Sequence, residues 1–234
     1  MQDTRYEPDY ETFAAERKKL GDAGLALSNT GYSPLLDLQI NWIGQEAFCY
    51  ELADHEDALM ELYWLMRKKQ REVFAVIAAS PADYVLYDGN LVPAMVGPER
   101  ARSLIAPCWE EFADLLHERG KKMGVHLDAE NRLIMDIVAE STMDFVEAFT
   151  PPPDCSVTVA EARAAWPGKA LWINFPSSVH LRSEPAIHEA MREILSQAGD
   201  RRGFLVGVTE DVPPADIERS CGAILSVLAE QVSR

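Results

Sequence analysis

Apolar positions along the chain follow two periods. Short runs with strand character lie at 84–87, 123–127, 145–149, 170–175 and 204–208, with a shorter run, Leu25, Ala26 and Leu27, nearer the start. Between them the spacing is helical. Residues 9–20 read as a polar helix closed by Gly21 and Gly24, and a stripe from Leu59 to Ile77 predicts a helix from Asp54, as N-cap, to about Ala78. Pro98 opens a helix lined by Leu104, Ile105, Cys108, Trp109, Phe112, Leu115 and Leu116, which Gly120 closes. Leu133, Ile134, Ile137 and Val138 predict an inward face before the third good strand. Thr158 with Glu161 forms a capping box, Pro185 starts a helix carrying Ile187, Met191, Ile194 and Leu195, and Ile217, Cys221, Ile224, Leu225 and Leu228 predict the apolar face of a closing helix.

Strands alternating with helices predict βαβ units and a parallel sheet, because parallel neighbours need a crossover and a covering layer. Six strands are counted. They suit an open doubly wound sheet, whereas a (β/α)8 barrel needs two more. Neither GxGxxG nor GxxxxGK[ST] occurs, which removes the main support for a nucleotide-binding sheet.

In either architecture ligands bind at the carboxyl ends of the strands, and those ends are polar here. The first good strand runs into Asp88, Gly89 and Asn90; the second ends in His126, Leu127 and Asp128; the third holds Glu147, the fourth Asn174, and the fifth leads to Thr209, Glu210 and Asp211. Each has a bland reading, since strand-end Asp and Asn fold back on loop backbone and histidine is often a satisfied core residue. His126 and Asp128, two apart on a strand, can share a face and either ligate a metal or act as an acid/base pair. Glu147, flanked by Val146 and Ala148 just before three prolines, does not read as ordinary solvated surface. His180, past the fourth strand, is an outside candidate for substrate contact. His55, His117 and His188 read as surface groups, and Cys108 and Cys221 as helix-face core positions.

Charge narrows the partners. The 234 residues carry 38 acidic against 22 basic side chains, a net charge of -16, which disfavours nucleic acid and anionic membrane surfaces. The four cysteines, 49, 108, 155 and 221, show no CxxC spacing, and no apolar run approaches a membrane span, so a reducing, cytoplasmic location is expected.

Several segments together resemble a known family. Ala82-Asp83-Tyr84-Val85-Leu86-Tyr87-Asp88, Gly124-Val125-His126-Leu127-Asp128, Val146-Glu147-Ala148-Phe149-Thr150-Pro151-Pro152-Pro153, Leu171-Trp172-Ile173-Asn174-Phe175-Pro176 and Gly207-Val208-Thr209-Glu210-Asp211-Val212-Pro213-Pro214 are similar to the later strands of the uroporphyrinogen decarboxylase superfamily. That superfamily, with its corrinoid-dependent methyltransferases, implies an α/β (β/α)8 TIM barrel, here apparently truncated at the N-terminus to about six strands. The resemblance implies an N-terminal helical segment at 1–23 and a barrel domain at 24–234. The arginine-rich segment of the decarboxylases has no counterpart, and their Gly-His-Gly turn is replaced by Thr209-Glu210-Asp211. The methyltransferases' His-x-Cys pair and later Cys, which bind zinc, are matched by His126-x-Asp128 and by Glu210 or Asp211, a harder, oxygen-rich set.

The resulting expectation is a metal-dependent methyltransferase-like enzyme acting on a small or corrinoid-linked one-carbon substrate. Glu147 and Asp128 are its catalytic candidates, His126, Asp128 and Glu210 its ligands for a divalent metal such as zinc, and Asp88, Asn90, Asn174 and Asp211 its substrate contacts. A corrinoid-bearing protein is then the co-substrate. The alternatives are a porphyrinogen decarboxylase-like enzyme and a non-catalytic truncated barrel that pairs with another copy or a partner chain to cover its open strand edges.

Overall fold

The structure is a computed structural model that describes residues 4–208 and 212–232. The chain begins with α1 (Tyr10–Leu20), whose first turn is capped by the Asp9 carboxylate accepting from the Thr12 N–H at 3.3 Å, and continues into β1 (Leu27–Asn29). A short α2 (Pro34–Asp37) runs into a π turn at Leu38–Trp42, followed by α3 (Gln45–Asp54), the long α4 (Glu56–Ala79) and β2 (Tyr84–Tyr87). Next come α5 (Pro93–Val96), α6 (Pro98–Arg100), a π turn at Ala101–Ile105, α7 (Ala106–His117) and β3 (Lys122–His126). The remainder alternates: α8 (Met135–Glu140), β4 (Phe145–Phe149), α9 (Val159–Ala165), β5 (Ala170–Phe175), α10 (Ser177–His180), α11 (Glu184–Ala198), β6 (Phe204–Val208) and α12 (Pro214–Val232).

The chain forms two compact units. One holds the residues up to Leu91 with Glu99–His126 and Ser141–Asp144; the other holds Val92–Pro98, Leu127–Glu140 and the chain from Phe145 onward. In the first, β1, β2 and β3 are parallel and adjacent in chain order, Leu27 pairing with Tyr84 and Tyr84 with Lys122. Their helical cover is built on aromatic rings. Phe74 of α4 and Phe112 of α7 stack with centroids 4.0 Å apart, and the Tyr87 ring meets both edge-on at 5.2 and 5.4 Å. A π turn leaves helical carbonyls without their usual partner, and the Leu104 carbonyl within it accepts from the Tyr63 hydroxyl at 2.7 Å and from the Cys108 thiol at 3.3 Å. Buried Arg67 binds the Pro107 carbonyl at 2.7 Å and the Glu111 carboxylate at 2.8 Å, joining α4 to α7.

In the second unit β4, β5 and β6 are likewise parallel and in chain order. Leu171, Ile173 and Phe175 are buried while Ala170, Trp172 and Asn174 on the opposite face are half-buried, the alternation that a strand's period of two imposes. Ile187, Met191, Ile194 and Leu195 of α11 and Ala223, Ile224 and Val227 of α12 supply buried side chains to this unit. The capping box forms: Thr158 Oγ1 accepts from the Glu161 N–H at 3.1 Å and Glu161 accepts from the Thr158 N–H at 2.8 Å.

The six strands that the apolar pattern predicts are present and parallel within each unit, an α/β architecture. Among the described residues β1 pairs with β2 alone and β6 with β5 alone, so the described sheet is not a closed barrel, in which every strand has two neighbours. Other expectations shift in detail. Asp54 ends α3 instead of capping α4, whose N-cap is His55. Leu133, in the turn before α8, is exposed, and so are Ile217 and Leu225, because the buried stripe of α12 is rotated towards Ser220, Ala223, Ile224 and Val227. His188 is half-covered, its Nε2 2.9 Å from Ser226 Oγ. No helix among the described residues is long and apolar enough to cross a membrane.

Candidate functional site

A bulge sets the geometry of the second unit's strand ends. Phe145 pairs with Ala170 and Val146 with Leu171, but Phe149 then pairs with Ile173, so Glu147 and Ala148 together stand opposite Trp172. The extra residue is absorbed by Ala148, which sits at φ 61°, a left-handed conformation that costs an alanine roughly 1–3 kcal/mol. Val146 and Leu171 are buried on one face, and alternation therefore puts half-buried Glu147 on the other, level with Trp172 and one step before Asn174. Strain of this kind in a strand recurs beside binding sites, where it re-aims a side chain.

Gly207 completes that face. A Cβ at this position would lie 2.9 Å from Trp172 Nε1, 3.1 Å from the Ile173 carbonyl and 3.3 Å from Asn174 Oδ1, so the indole and the carboxamide occupy the space that glycine leaves. Gly207→Ala is expected to lower stability by about 1–3 kcal/mol, since one of its contacts is backbone, and to shift the tryptophan emission. Urea titration followed by fluorescence checks both, and an unchanged midpoint would show that the neighbours yield freely.

Three loops of this unit are tied together by hydrogen bonds. The Leu127 N–H donates to the Glu147 carbonyl at 2.9 Å, extending the pairing towards Asp128, and the Cys155 thiol approaches the Asp128 carbonyl at 3.8 Å. Glu130 accepts from the Ser156 N–H at 2.6 Å and the Arg132 N–H at 2.9 Å, and these bonds hold its carboxyl below the ordinary range despite partial burial. Arg132 in turn binds the Ser156 carbonyl at 2.9 Å and Glu161 at 2.8 Å, which, with the Thr158 bonds, lowers the Glu161 carboxyl to about 2. Asp154 accepts from the Ser178 N–H at 3.1 Å. His180 is buried, with Nδ1 2.5 Å from Ser220 Oγ, and burial pushes its pKa down.

The first unit gathers its own strand-end polar groups. Asp88 takes φ 65° and Asn90 φ 50°. Burial raises the Asp88 carboxyl to about 6, against bonds that favour its ionised form: Ser33 N–H to Oδ1 at 2.8 Å and Trp109 Nε1–H to Oδ2 at 2.9 Å. Asp88, expected to contact substrate, has both oxygens engaged by its own chain, by Ser33 and Trp109, and is 4% exposed. Exposed Asn90 donates to the Tyr32 hydroxyl at 2.5 Å. The His126 side chain packs against Gly89, where an added Cβ would stand 3.3 Å from His126 Cβ.

The Asp88 shift has a sign that can be checked. Its folded pKa exceeds its unfolded value, so the stability it confers is complete below about pH 4 and is lost as pH rises through about 6. Between pH 7.5 and 4.5 wild type is expected to gain about 2 kcal/mol relative to Asp88→Asn, from the shift of roughly two units. Parallel urea titrations at the two pH values measure it, and a pH-independent difference would refute it.

The sequence-derived candidates divide between the units. Asp88, Asn90 and His126 belong to the first; Asp128, Glu147 and Asn174 belong to the second. Glu210 and Asp211 lie outside the described residues. Among the described residues no three His, Cys, Asp or Glu side chains are placed to hold one metal ion, so these residues by themselves do not fit a complete metal site. The cysteines are free: Cys49 exposed, Cys108 buried with its thiol raised to about 11 by burial, Cys155 and Cys221 between. Trp172 and Gly207 were not singled out from sequence. For Trp172 the signal is its two-residue spacing from Asn174, which puts both on one face of β5; Gly207 carries no such signal.

The arrangement of strands and helices has a counterpart among solved structures. It shares the fold of a methyltransferase from Methanosarcina mazei. The TM-score is 0.69 at 12% sequence identity, over 94% of this chain and 64% of that one. At that identity the likeness is one of fold, and this chain spans less than two thirds of the neighbour's length. No family model matches the chain, and no curated protein does.

Proposed function

We propose that the chain is a methyltransferase-like member of the uroporphyrinogen decarboxylase superfamily, built on the (β/α)8 plan and working in the cytoplasm on a small or corrinoid-linked one-carbon substrate. The observation that carries the reading is the β4 bulge, which aligns Glu147 with Trp172 and Asn174 on one face of a sheet whose fold a methyltransferase shares. In the reaction the Glu147 carboxylate takes the proton of an acceptor thiol or similar nucleophile as its heteroatom bonds the methyl carbon. The donor leaves with the electron pair of the broken bond. Asn174 holds the substrate by hydrogen bonding and Trp172 shields it from water.

The test is methyl transfer from methylcobalamin to a panel of small thiols, followed by loss of the methyl–cobalt absorption. A protein-dependent rate supports the reading; none with any acceptor overturns it. His126, Asp128 and Glu210 are the ligand set proposed for a divalent metal, and no step above passes through it. Elemental analysis of wild type and His126→Ala tests that set, with metal in the first and its loss in the second expected. A second reading, a barrel segment completed by a partner chain, is favoured by the one-sided pairing of β1 and β6. A monomer in sedimentation would remove it.

A further inference from the structure

The half-buried face of the second unit joins an aromatic ring, a carboxylate and a carboxamide. Trp172 stands opposite the Glu147–Ala148 bulge, Asn174 follows on the same face, and the missing side chain at Gly207 lets the indole nitrogen and the Asn174 carboxamide come together beside β6. An indole attracts cations through its ring, most strongly where water is excluded, and a carboxylate beside it adds Coulombic attraction. An amide supplies a hydrogen bond to a polar tail. Neither Phe145 nor Ala170, earlier on this face, carries a charge, and the chain's net charge of -16 favours cations over anions.

From this combination we propose that the methyl-bearing substrate is a quaternary N-methylammonium ion seated on Trp172, drawn by Glu147, with a hydroxyl or carboxylate tail that hydrogen-bonds Asn174. The proposal rests on the methyl-transfer reading and names its substrate class. The balance is closed: the acceptor thiol gives its proton to Glu147, sulfur bonds the methyl carbon, and the C–N pair leaves with nitrogen as a neutral tertiary amine. No oxidant or reductant enters.

Calorimetric titration with choline and with 3,3-dimethyl-1-butanol, its uncharged isostere, tests the assignment. Choline is expected to bind about tenfold more tightly than the isostere. Trp172→Leu is expected to abolish most of that preference and Trp172→Phe to keep part of it, which separates loss of the ring from loss of the fold. Glu147→Gln is expected to weaken choline and leave the isostere unchanged. Equal affinities for the two probes, or no choline binding by folded wild type, overturn the proposal. Methyl transfer from methylcobalamin without choline binding would sink this assignment and spare the enzyme reading. Choline binding without methyl transfer to any thiol would sink the enzyme reading and the substrate role with it, leaving a cation-binding face alone.

Discussion

Glu147→Gln is expected to slow methyl transfer by about 10²–10⁴-fold, the span that a positioned general base contributes. Glutamine keeps the volume and the hydrogen-bonding reach of the side chain but cannot take a proton. The backbone at this point is fixed independently of the carboxyl group, by the pairing of Val146 with Leu171 and Phe149 with Ile173 and by the bond from Leu127 N–H to the Glu147 carbonyl. The variant should therefore fold as wild type does, and circular dichroism with a urea midpoint verifies it. An acceptor already ionised at the working pH should lose less rate than one of high pKa, because it needs no base. A uniform loss across acceptors, or a loss below about threefold, would assign Glu147 to substrate binding alone.

Phe112→Ala is expected to destabilise the protein by about 3–5 kcal/mol, the usual loss for a buried aromatic cut to alanine. Phe112 has no exposed surface, stacks on Phe74 at 4.0 Å and receives the edge of Tyr87 at 5.4 Å, so truncation opens a cavity between α4, α7 and β2 at once. These rings come from three different elements, and the space Phe112 leaves cannot be refilled by a single rotamer change. Phe112→Leu should recover more than half of the loss. Urea denaturation measures both. A loss under about 1 kcal/mol for the alanine variant would show that the aromatic cluster is not the anchor of this unit.

Much of the architecture was legible because strand and helix periods differ so clearly. Tyr84–Tyr87, Phe145–Phe149, Ala170–Phe175 and Phe204–Val208 are strands at the positions that their apolar runs predict, and Thr158 with Glu161 caps its helix as the motif demands. The misplacements have local causes. Residue type favours Asp54 as a cap, but α3 uses that residue in its last turn, leaving His55 as the N-cap of α4. The largest apolar side chains of α12 suggest one stripe, yet Ser220 and Ala223 are buried with Ile224 and Val227 while Ile217 and Leu225 face outward.

The site was legible as a set of strand ends and illegible as a constellation. Residue type alone could not say that Asp88 spends both oxygens on Ser33 and Trp109, because those donors lie 55 and 21 positions away. Nor does a sequence display a bulge: Glu147 looks like one more alternating position until the pairing of Phe149 with Ile173 reveals the extra residue. Gly207 carried no turn signature, and its role appears only through what fills its place.

Cys108 offers a way to watch the first unit open. It is wholly sealed, and its thiol is raised to about 11, so an alkylating reagent can reach a reactive sulfur only when α4 and α7 part. Exposed Cys49 reacts at once and calibrates the reagent. In a variant with Cys155 and Cys221 replaced by serine, the slow phase of labelling in native buffer gives the frequency of transient opening for that layer, with no ligand, substrate or assay for activity required.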